Sequence, residues 1–356
     1  LMAAQPYLLE SKLFGPAEAQ KLGFVHALVD SDAELMPAAR TWIDSVQGNA
    51  EACQHPWDRK GYKMPGGTPS SPAIAQGLVV APAMLKKTTR GLYPAPEAAL
   101  CAMVEGAQVD FDTAMRIESR YLAGLMVNPV AKNMINTFFF NLNAIKSGQS
   151  RPKDVPRYKP KKVGILGAGM MGAGIAYSQA SRGIASVLKD VSLEKAEHGK
   201  AYSAKLTQAR VDKGRLGPHD QAELLGRITP TASAADLQGS DLIIEAVFEN
   251  RELKAKVTQE AEPMLAPGGF FASNTSTLPI SGLATASAHP DKFIGIHFFS
   301  PVDKMKLVEI IRGKQTDDET VARAFDYVQS LGKIPIVVND SRGFYTSRTF
   351  GTFVME

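Results

Sequence analysis

The chain of 356 residues contains no apolar run approaching the roughly 18 residues that a membrane-spanning helix needs. Its first residues lack a charged segment followed by an apolar core. Neither a spanning helix nor an export signal is expected, and a cytoplasmic location is. Cysteine is scarce: the chain's 2 cysteines, Cys53 and Cys101, have neither metal-site spacing nor the partners of a disulfide framework, so reduced thiols and no metal are expected. Charge of one sign is lacking too. A net charge of +4 gives little reason to expect a nucleic-acid partner. The one basic cluster, Arg151, Lys153, Arg157, Lys159, Lys161 and Lys162, is broken by Pro152, Pro156 and Pro160 and interleaved only with Tyr158. Stacking on bases calls for more rings than that. The stretch reads as a solvated connector, with contact to an anionic ligand as the lesser alternative.

What is present is an ordinary globular composition, 44% hydrophobic, at a length suited to two or three domains. The chemistry begins at KVGILGAGMMGAG, residues 162–174. Val163, Ile165 and Leu166 predict a buried strand. Gly167, Gly169 and Gly172 then supply a tight turn, room for a pyrophosphate, and close packing of helix on strand. The phosphates would meet unpaired N–H groups at the helix N-terminus. A second strand, Ile184 to Asp190, ends in a carboxylate about 20 residues on, where it would accept from a ribose hydroxyl and repel a 2′-phosphate. NAD is therefore expected rather than NADP. The alternative is a glycine-rich helix cap with no ligand.

Further along, Asp241 to Val247 (DLIIEAV), Gly269 to Ala272 and Phe293 to Phe299 predict buried strands, with a helix opening between Glu249 and Lys254. The fold class expected is α/β, a Rossmann-type doubly wound parallel sheet. Before it, residues 16–22 predict a short helix ended by Gly23, Phe24 to Val29 a strand, residues 54–68 an irregular connection, and residues 96–145 amphipathic helices interrupted by Pro129. The run Phe138, Phe139 and Phe140 reads as core.

One histidine has the right neighbours for catalysis. His297 closes a strand, Ser276 follows the adjoining one, and Glu309 lies twelve residues on within MKLVEII. A carboxylate among apolar residues is costly without a partner, and an imidazole is a natural one. A histidine so held can accept a hydroxyl proton as hydride leaves the same carbon. Alternatively, His297 is a satisfied core residue and Glu309 a strand-edge ion-pair residue.

Together GAGMMGAGIA, DLIIEAVFEN, SNTSTLPIS, HFFSPVDKMKLVEII and NDSRGF resemble the 3-hydroxyacyl-CoA dehydrogenases, and among them the dehydrogenase portion of multifunctional fatty-acid oxidation enzymes. The resemblance implies NAD-dependent oxidation of (S)-3-hydroxyacyl-CoA. It implies His297 as general base, Glu309 as its partner and Ser276 on the substrate oxygen. It further implies NAD contacts from Gly167, Gly169, Met170, Met171, Gly172, Asp190, Glu249, Lys254, Ser276 and Ser300. Ser300 and Ser347 stand where the family often has asparagine; serine is shorter in reach.

LLESKLFGPAEAQKLGFVHALVD resembles the tail of an enoyl-CoA hydratase (crotonase) domain, whose catalytic glutamates would lie upstream. The resemblance thus implies a crotonase remnant at 1–57, a helical connector and linker at 58–160, the NAD-binding dehydrogenase domain at 161–341 and the start of a further helical domain at 342–356. The chain reads as an internal fragment of a bifunctional enzyme, with acyl-CoA as substrate and a thiolase subunit and homodimerisation as partners of the parent. A non-catalytic NAD-binding scaffold and another β-hydroxyacid dehydrogenase remain as alternatives; the latter would more naturally use a lysine base.

Overall fold

The computed structural model describes residues 1–356 in two units, Leu1–Phe139 and Phe140–Glu356. The first is built of helices: α1 (Gln5–Leu8), α2 (Pro16–Lys21), α3 (Asp32–Val46), α4 (Pro72–Thr89), α5 (Pro94–Gly106), α6 (Phe111–Val127) and α7 (Pro129–Ile135). Proline opens α2, α4, α5 and α7, where its missing N–H and fixed φ do no harm. Gly23 follows α2 at φ 79°, a left-handed stop that suits glycine. The only buried apolar side chains of this unit are Ile74 and Leu100.

Two expectations fail in this region. Phe24 to Val29 forms no strand, because no other strand exists in the unit to take up its backbone hydrogen bonds. Phe138, Phe139 and Phe140 are 64%, 58% and 60% exposed rather than core. They sit in a π-helical turn, Asn136–Asn141. Three consecutive helical positions sweep roughly 200° and cannot all face one interior.

In the second unit, apolar β-branched segments alternate with helices, which makes parallel pairing the natural outcome. The strands are β1 (Lys162–Leu166), β2 (Ala185–Lys189), β3 (Ile228–Thr231), β4 (Ser240–Glu245), β5 (Leu265–Ser273), β6 (Phe293–Phe298), β7 (Leu307–Arg312) and β8 (Ile334–Asn339). They form one sheet in the order β3-β2-β1-β4-β5-β6-β7-β8. Strands β1 to β6 run parallel, β7 is antiparallel to β6, and β8 is parallel to β7. The helices are α8 (Leu142–Lys146), α9 (Met170–Ala180), α10 (Leu193–Val211), α11 (Pro218–Gly226), α12 (Arg251–Ala261), α13 (Ile280–Leu283), α14 (Asp318–Ser330) and α15 (Thr346–Met355). This is the doubly wound arrangement expected. Its strand order reverses at β1, the switch point where such sheets bind ligands.

Alternation along the strands divides the core. Ile165, Leu242, Ile244, Phe270 and Ile310 pack in a cluster with Ile175 of α9 and Phe325 of α14. Their neighbours Leu166, Ile243, Phe271 and Ile311 pack in another with Ala261 of α12 and Leu283 of α13.

The basic stretch before β1 is not a free connector. Arg151, its side chain only 8% exposed, donates from Nε and Nη2 to the Asp326 carboxylate at 2.8 Å each. Arg157 Nη1 (2.7 Å) and the Tyr158 amide (2.9 Å) donate to the same carboxylate. The amides of Lys161 and Lys162 donate to Asp241 at 2.7 and 3.0 Å. Two aspartates on the sheet domain thus collect this segment.

Candidate active site

The three glycines of the turn after β1 each answer a different demand. Gly167 has φ 95°, and a Cβ there would meet Ala246 O at 2.8 Å. A Cβ on Gly172 would stand 1.8 Å from Gly167 O, so helix α9 could not close on the turn with any other residue. Gly169, by contrast, has nothing within 4 Å, which leaves open space immediately before the first residue of α9. Backbone N–H groups at that helix start face an approach a phosphate can use.

A cavity of about 670 Å³ lies at this point, within the range for cofactor sites. Gly167, Gly169, Met170, Met171 and Asp190 all line it. Gly172 does not, consistent with its packing role. Asp190 directly follows β2, and its carboxylate holds the turn itself: Oδ2 accepts from the Ala168 amide and Oδ1 from the Val191 amide, both at 2.7 Å. Each oxygen retains a lone pair for a ribose hydroxyl. Lys195 and His198 of α10 and Phe248 after β4 also line the cavity. No spacing rule pointed to these three. The glycine cradle, open Gly169 and the carboxylate at the end of β2 together fit NAD, which is the cofactor.

A second constellation lies at the carboxyl end of β6. His297 and Glu309 are direct cross-strand partners in the antiparallel β6/β7 pair. Such partners point to the same face with Cβ atoms about 5 Å apart, so the twelve-residue spacing becomes a contact. His297 Nδ1 lies 2.8 Å from Glu309 Oε2, with His297 7% exposed and Glu309 fully buried. The other carboxylate oxygen, Oε1, accepts from the amides of Tyr345 (3.1 Å) and Thr346 (2.8 Å), where α15 begins. Gly343 (φ 73°) and Phe344 (φ 49°) take left-handed backbone to bring those amides round. Positive φ on a phenylalanine is strained, and burial of its ring, 6.3 Å from that of His297, holds it there.

Burial alone would raise the Glu309 pKa. The hydrogen bonds from His297 and the Thr346 amide outweigh it, and the carboxyl is held below the ordinary carboxylate value. No hydrogen bond engages His297 Nε2. An ionised Glu309 at Nδ1 selects the Nδ1–H tautomer, which leaves Nε2 free to accept a proton.

Ser276 follows β5. Its amide (2.8 Å) and Oγ (3.2 Å) donate to Glu249 Oε1, as does Thr275 Oγ1 (2.9 Å). Asn274 ties this loop to the next strand by accepting from the Phe298 amide at 2.8 Å. No hydrogen bond joins Ser276 to His297. Ser300 Oγ lies 3.4 Å from Met170 Sδ, linking the end of β6 to the cofactor turn. Ser347 is exposed on α15. Glu249 and Lys254 do not line the cavity; Lys254 is 2% exposed and donates to both oxygens of Glu245 at 2.9 Å. Glu245 is a functional candidate that sequence reasoning missed, although a carboxylate inside DLIIEAV is as costly as one inside MKLVEII.

Residues 162–341 match the family described as 3-hydroxyacyl-CoA dehydrogenase, NAD binding domain. Among solved structures, the (S)-3-hydroxybutyryl-CoA dehydrogenase PaaH1 from Ralstonia eutropha is 39% identical, with TM-score 0.54 over 55% of this chain and 69% of that one. M. tuberculosis FadB2 is 30% identical, TM-score 0.53, over 55% and 70%. The dehydrogenase part of multifunctional enzyme 1 from C. elegans is 27% identical, TM-score 0.50, over 57% and 45%. The glycine cradle, the carboxylate at the end of β2 and the match over 162–341 carry one conclusion: the chain belongs to the 3-hydroxyacyl-CoA dehydrogenase family through its NAD-binding domain.

Proposed function

We propose that the chain carries the dehydrogenase step of a bifunctional hydratase and dehydrogenase of fatty-acid β-oxidation, oxidising (S)-3-hydroxyacyl-CoA to 3-oxoacyl-CoA. The observation that carries this reading is the buried His297–Glu309 pair with Nε2 unengaged. His297 Nε2 accepts the proton of the C3 hydroxyl. Bound NAD supplies the acceptor for the C3 hydride. Glu309 stabilises the imidazolium as it forms. Ser276 bonds the C3 oxygen, Ser300 spans the substrate and cofactor sides, and Ser347 meets the substrate from α15. Glu249 and Lys254 belong to the same proposal as NAD contacts.

Two relatives support the substrate class and the bifunctional context: one bears the name of a 3-hydroxybutyryl-CoA dehydrogenase, and another is the dehydrogenase part of a multifunctional enzyme. The hydratase chemistry, the association with a thiolase subunit, the homodimer and the cytoplasmic location belong to the same proposal. No helix is long and apolar enough to cross a membrane.

The test is NADH formation, followed by absorbance, on mixing the 356-residue chain with NAD and a short (S)-3-hydroxyacyl-CoA. Turnover abolished by His297→Ala supports the assignment. Tight NAD binding with no turnover would instead make the chain a cofactor-binding shell.

A further inference from the structure

Asp340 is the first residue after β8, and it belongs neither to the cofactor cavity nor to the His297–Glu309 pair. Its carboxylate takes two amides at the start of α13, one on each oxygen. Oδ1 accepts from Ile280 at 2.8 Å and Oδ2 from Ser281 at 2.7 Å. The Ser281 hydroxyl in turn accepts from the Lys314 amide at 2.9 Å, which ties the same helix start to the turn after β7. A few residues beyond Asp340, Tyr345 and Thr346 give their amides to Glu309 Oε1.

Between these points the backbone follows a course that it would not adopt alone. The Ser341 amide donates to Asn339 O and the Phe344 amide to Ser341 O, both at 2.9 Å, while Gly343 and Phe344 are left-handed at φ 73° and 49°. A phenylalanine at positive φ persists only where its surroundings over-determine it. Two holds do so here. The Phe344 ring is buried in the cluster that also contains Ile280 and Leu283 of α13, and Asp340 fixes the entry of the turn to that same helix.

We propose that Asp340 is a positioning residue for the general base: its grip on α13 holds the 340–346 turn so that the Tyr345 and Thr346 amides pin Glu309 Oε1 and leave Oε2 on His297 Nδ1. The inference rests on the reading of His297 as that base. Two adjacent amides need two acceptors side by side, and an ionised carboxylate supplies them with no donor to oppose either N–H. Asparagine has the same shape but one oxygen and one NH₂. Asp340→Asn therefore keeps one bond and sets donor against donor at the other amide.

The experiment compares the parent with Asp340→Asn in the 356-residue chain. Amide hydrogen exchange needs no turnover and is read first. In the parent, the amides of Ile280, Ser281, Tyr345 and Thr346 are expected to exchange through one common opening. In Asp340→Asn, exchange at Thr346 is expected to quicken about tenfold while β1 and β4 stay protected. Independent opening of Thr346 in the parent, or unchanged exchange there in the variant, overturns the proposal; the parent measurement decides even where the variant fails to fold. The second readout is the His297 ring, whose Nδ1 proton resonance should move upfield as its bond to Glu309 loosens. The third is kinetic: kcat is expected to fall about tenfold with KM for NAD unchanged. A lowered Tm with parental kcat and ring resonances would make Asp340 a structural clamp only, and overturn its link to the base. In a Glu309→Ala background Asp340→Asn should change kcat by less than about twofold, because the route it acts through is gone, and a further tenfold loss there overturns the proposal. If His297→Ala turns over like the parent, the base reading fails instead, and the exchange and ring resonances alone decide whether Asp340 holds Glu309.

Discussion

Glu309→Gln changes one atom and should disable the dehydrogenase by more than the loss of a charge. The parent carboxylate uses its two oxygens separately, Oε2 on His297 Nδ1 and Oε1 on the amides of Tyr345 and Thr346. A glutamine has one oxygen and one NH₂ to offer in the same buried pocket. With its NH₂ toward the two amides, two N–H groups would lose their acceptor, at about 1–3 kcal/mol each. The oxygen therefore stays on the amides, and the NH₂ turns toward His297. It can only donate there. Nδ1 then becomes an acceptor and the ring proton moves to Nε2, the atom required to be a base.

The charge lost from Nδ1 removes about 1.5–3 kcal/mol from the imidazolium. The wrong tautomer adds to this; in a serine protease triad the equivalent change lowers kcat about 10⁴-fold. We expect kcat to fall by between about 10² and 10⁴, since each 1.36 kcal/mol is tenfold. NAD affinity should be unchanged, because Glu309 does not line the cofactor cavity. Two assays check this. NADH formation gives kcat, and ¹⁵N chemical shifts of the His297 ring give the tautomer directly. A Glu309→Gln protein within about threefold of the parent, or one that still carries its proton on Nδ1, would refute the reasoning.

Gly172→Ala should prevent folding of the β1–α9 unit, since the added carbon would stand 1.8 Å from Gly167 O; Gly169→Ala should fold with near-parental Tm but lose NAD affinity, as its carbon enters the open approach to the helix. Thermal melts and an NAD titration separate the two. Arg151→Ala leaves the Asp326 carboxylate, 4% exposed, with only Arg157 and one amide as donors. A loss of about 3 kcal/mol in denaturant titration is expected for removing one partner of a buried pair, and an unchanged midpoint would mean that the segment is not held there. The pH dependence follows from Glu309 and Asp326, both held below their ordinary values in the fold by hydrogen bonds that outweigh burial. The unfolded chain binds more protons than the folded one in this range, so their stabilisation is complete above the ordinary carboxylate range and lost as pH falls through the lowered folded values. A melting temperature that rose on acidification from pH 5 to pH 3 would contradict this.

The sheet and the cofactor turn were legible because their signals are local. A glycine turn between an apolar strand and a helix, with an acidic residue one strand later, is written within residues 162–190. The pairing of His297 with Glu309 was legible for a different reason: a short hairpin makes a twelve-residue separation into a cross-strand contact. Failures came where the partner is remote or absent. Phe24 to Val29 has the composition of a strand, but strand formation needs a neighbour, and nothing in the local sequence says that none is there. In the basic stretch 151–162 Lys153, Arg157, Lys159 and Lys161 are solvated as read, but Arg151 is not, because its partner Asp326 lies 175 residues away in the chain.

The missed residues share one signature with the ones found. Asp326 in VARAFDYV, Glu245 in DLIIEAV and Glu309 in MKLVEII are each a carboxylate inside an apolar pattern, and each proves to be less than a tenth exposed and held by charged or backbone donors. An acid at such a position implies a partner, while the sequence does not say which of many cations it is. Where that partner is a histidine on the adjacent strand, the pair can move a proton. Where it is arginine or lysine, the pair ties segments of the fold together, as Arg151 ties the stretch before β1 to α14 through Asp326. The division between chemistry at Glu309 and structural pairing at Glu245 and Asp326 therefore follows from the partner each acid finds.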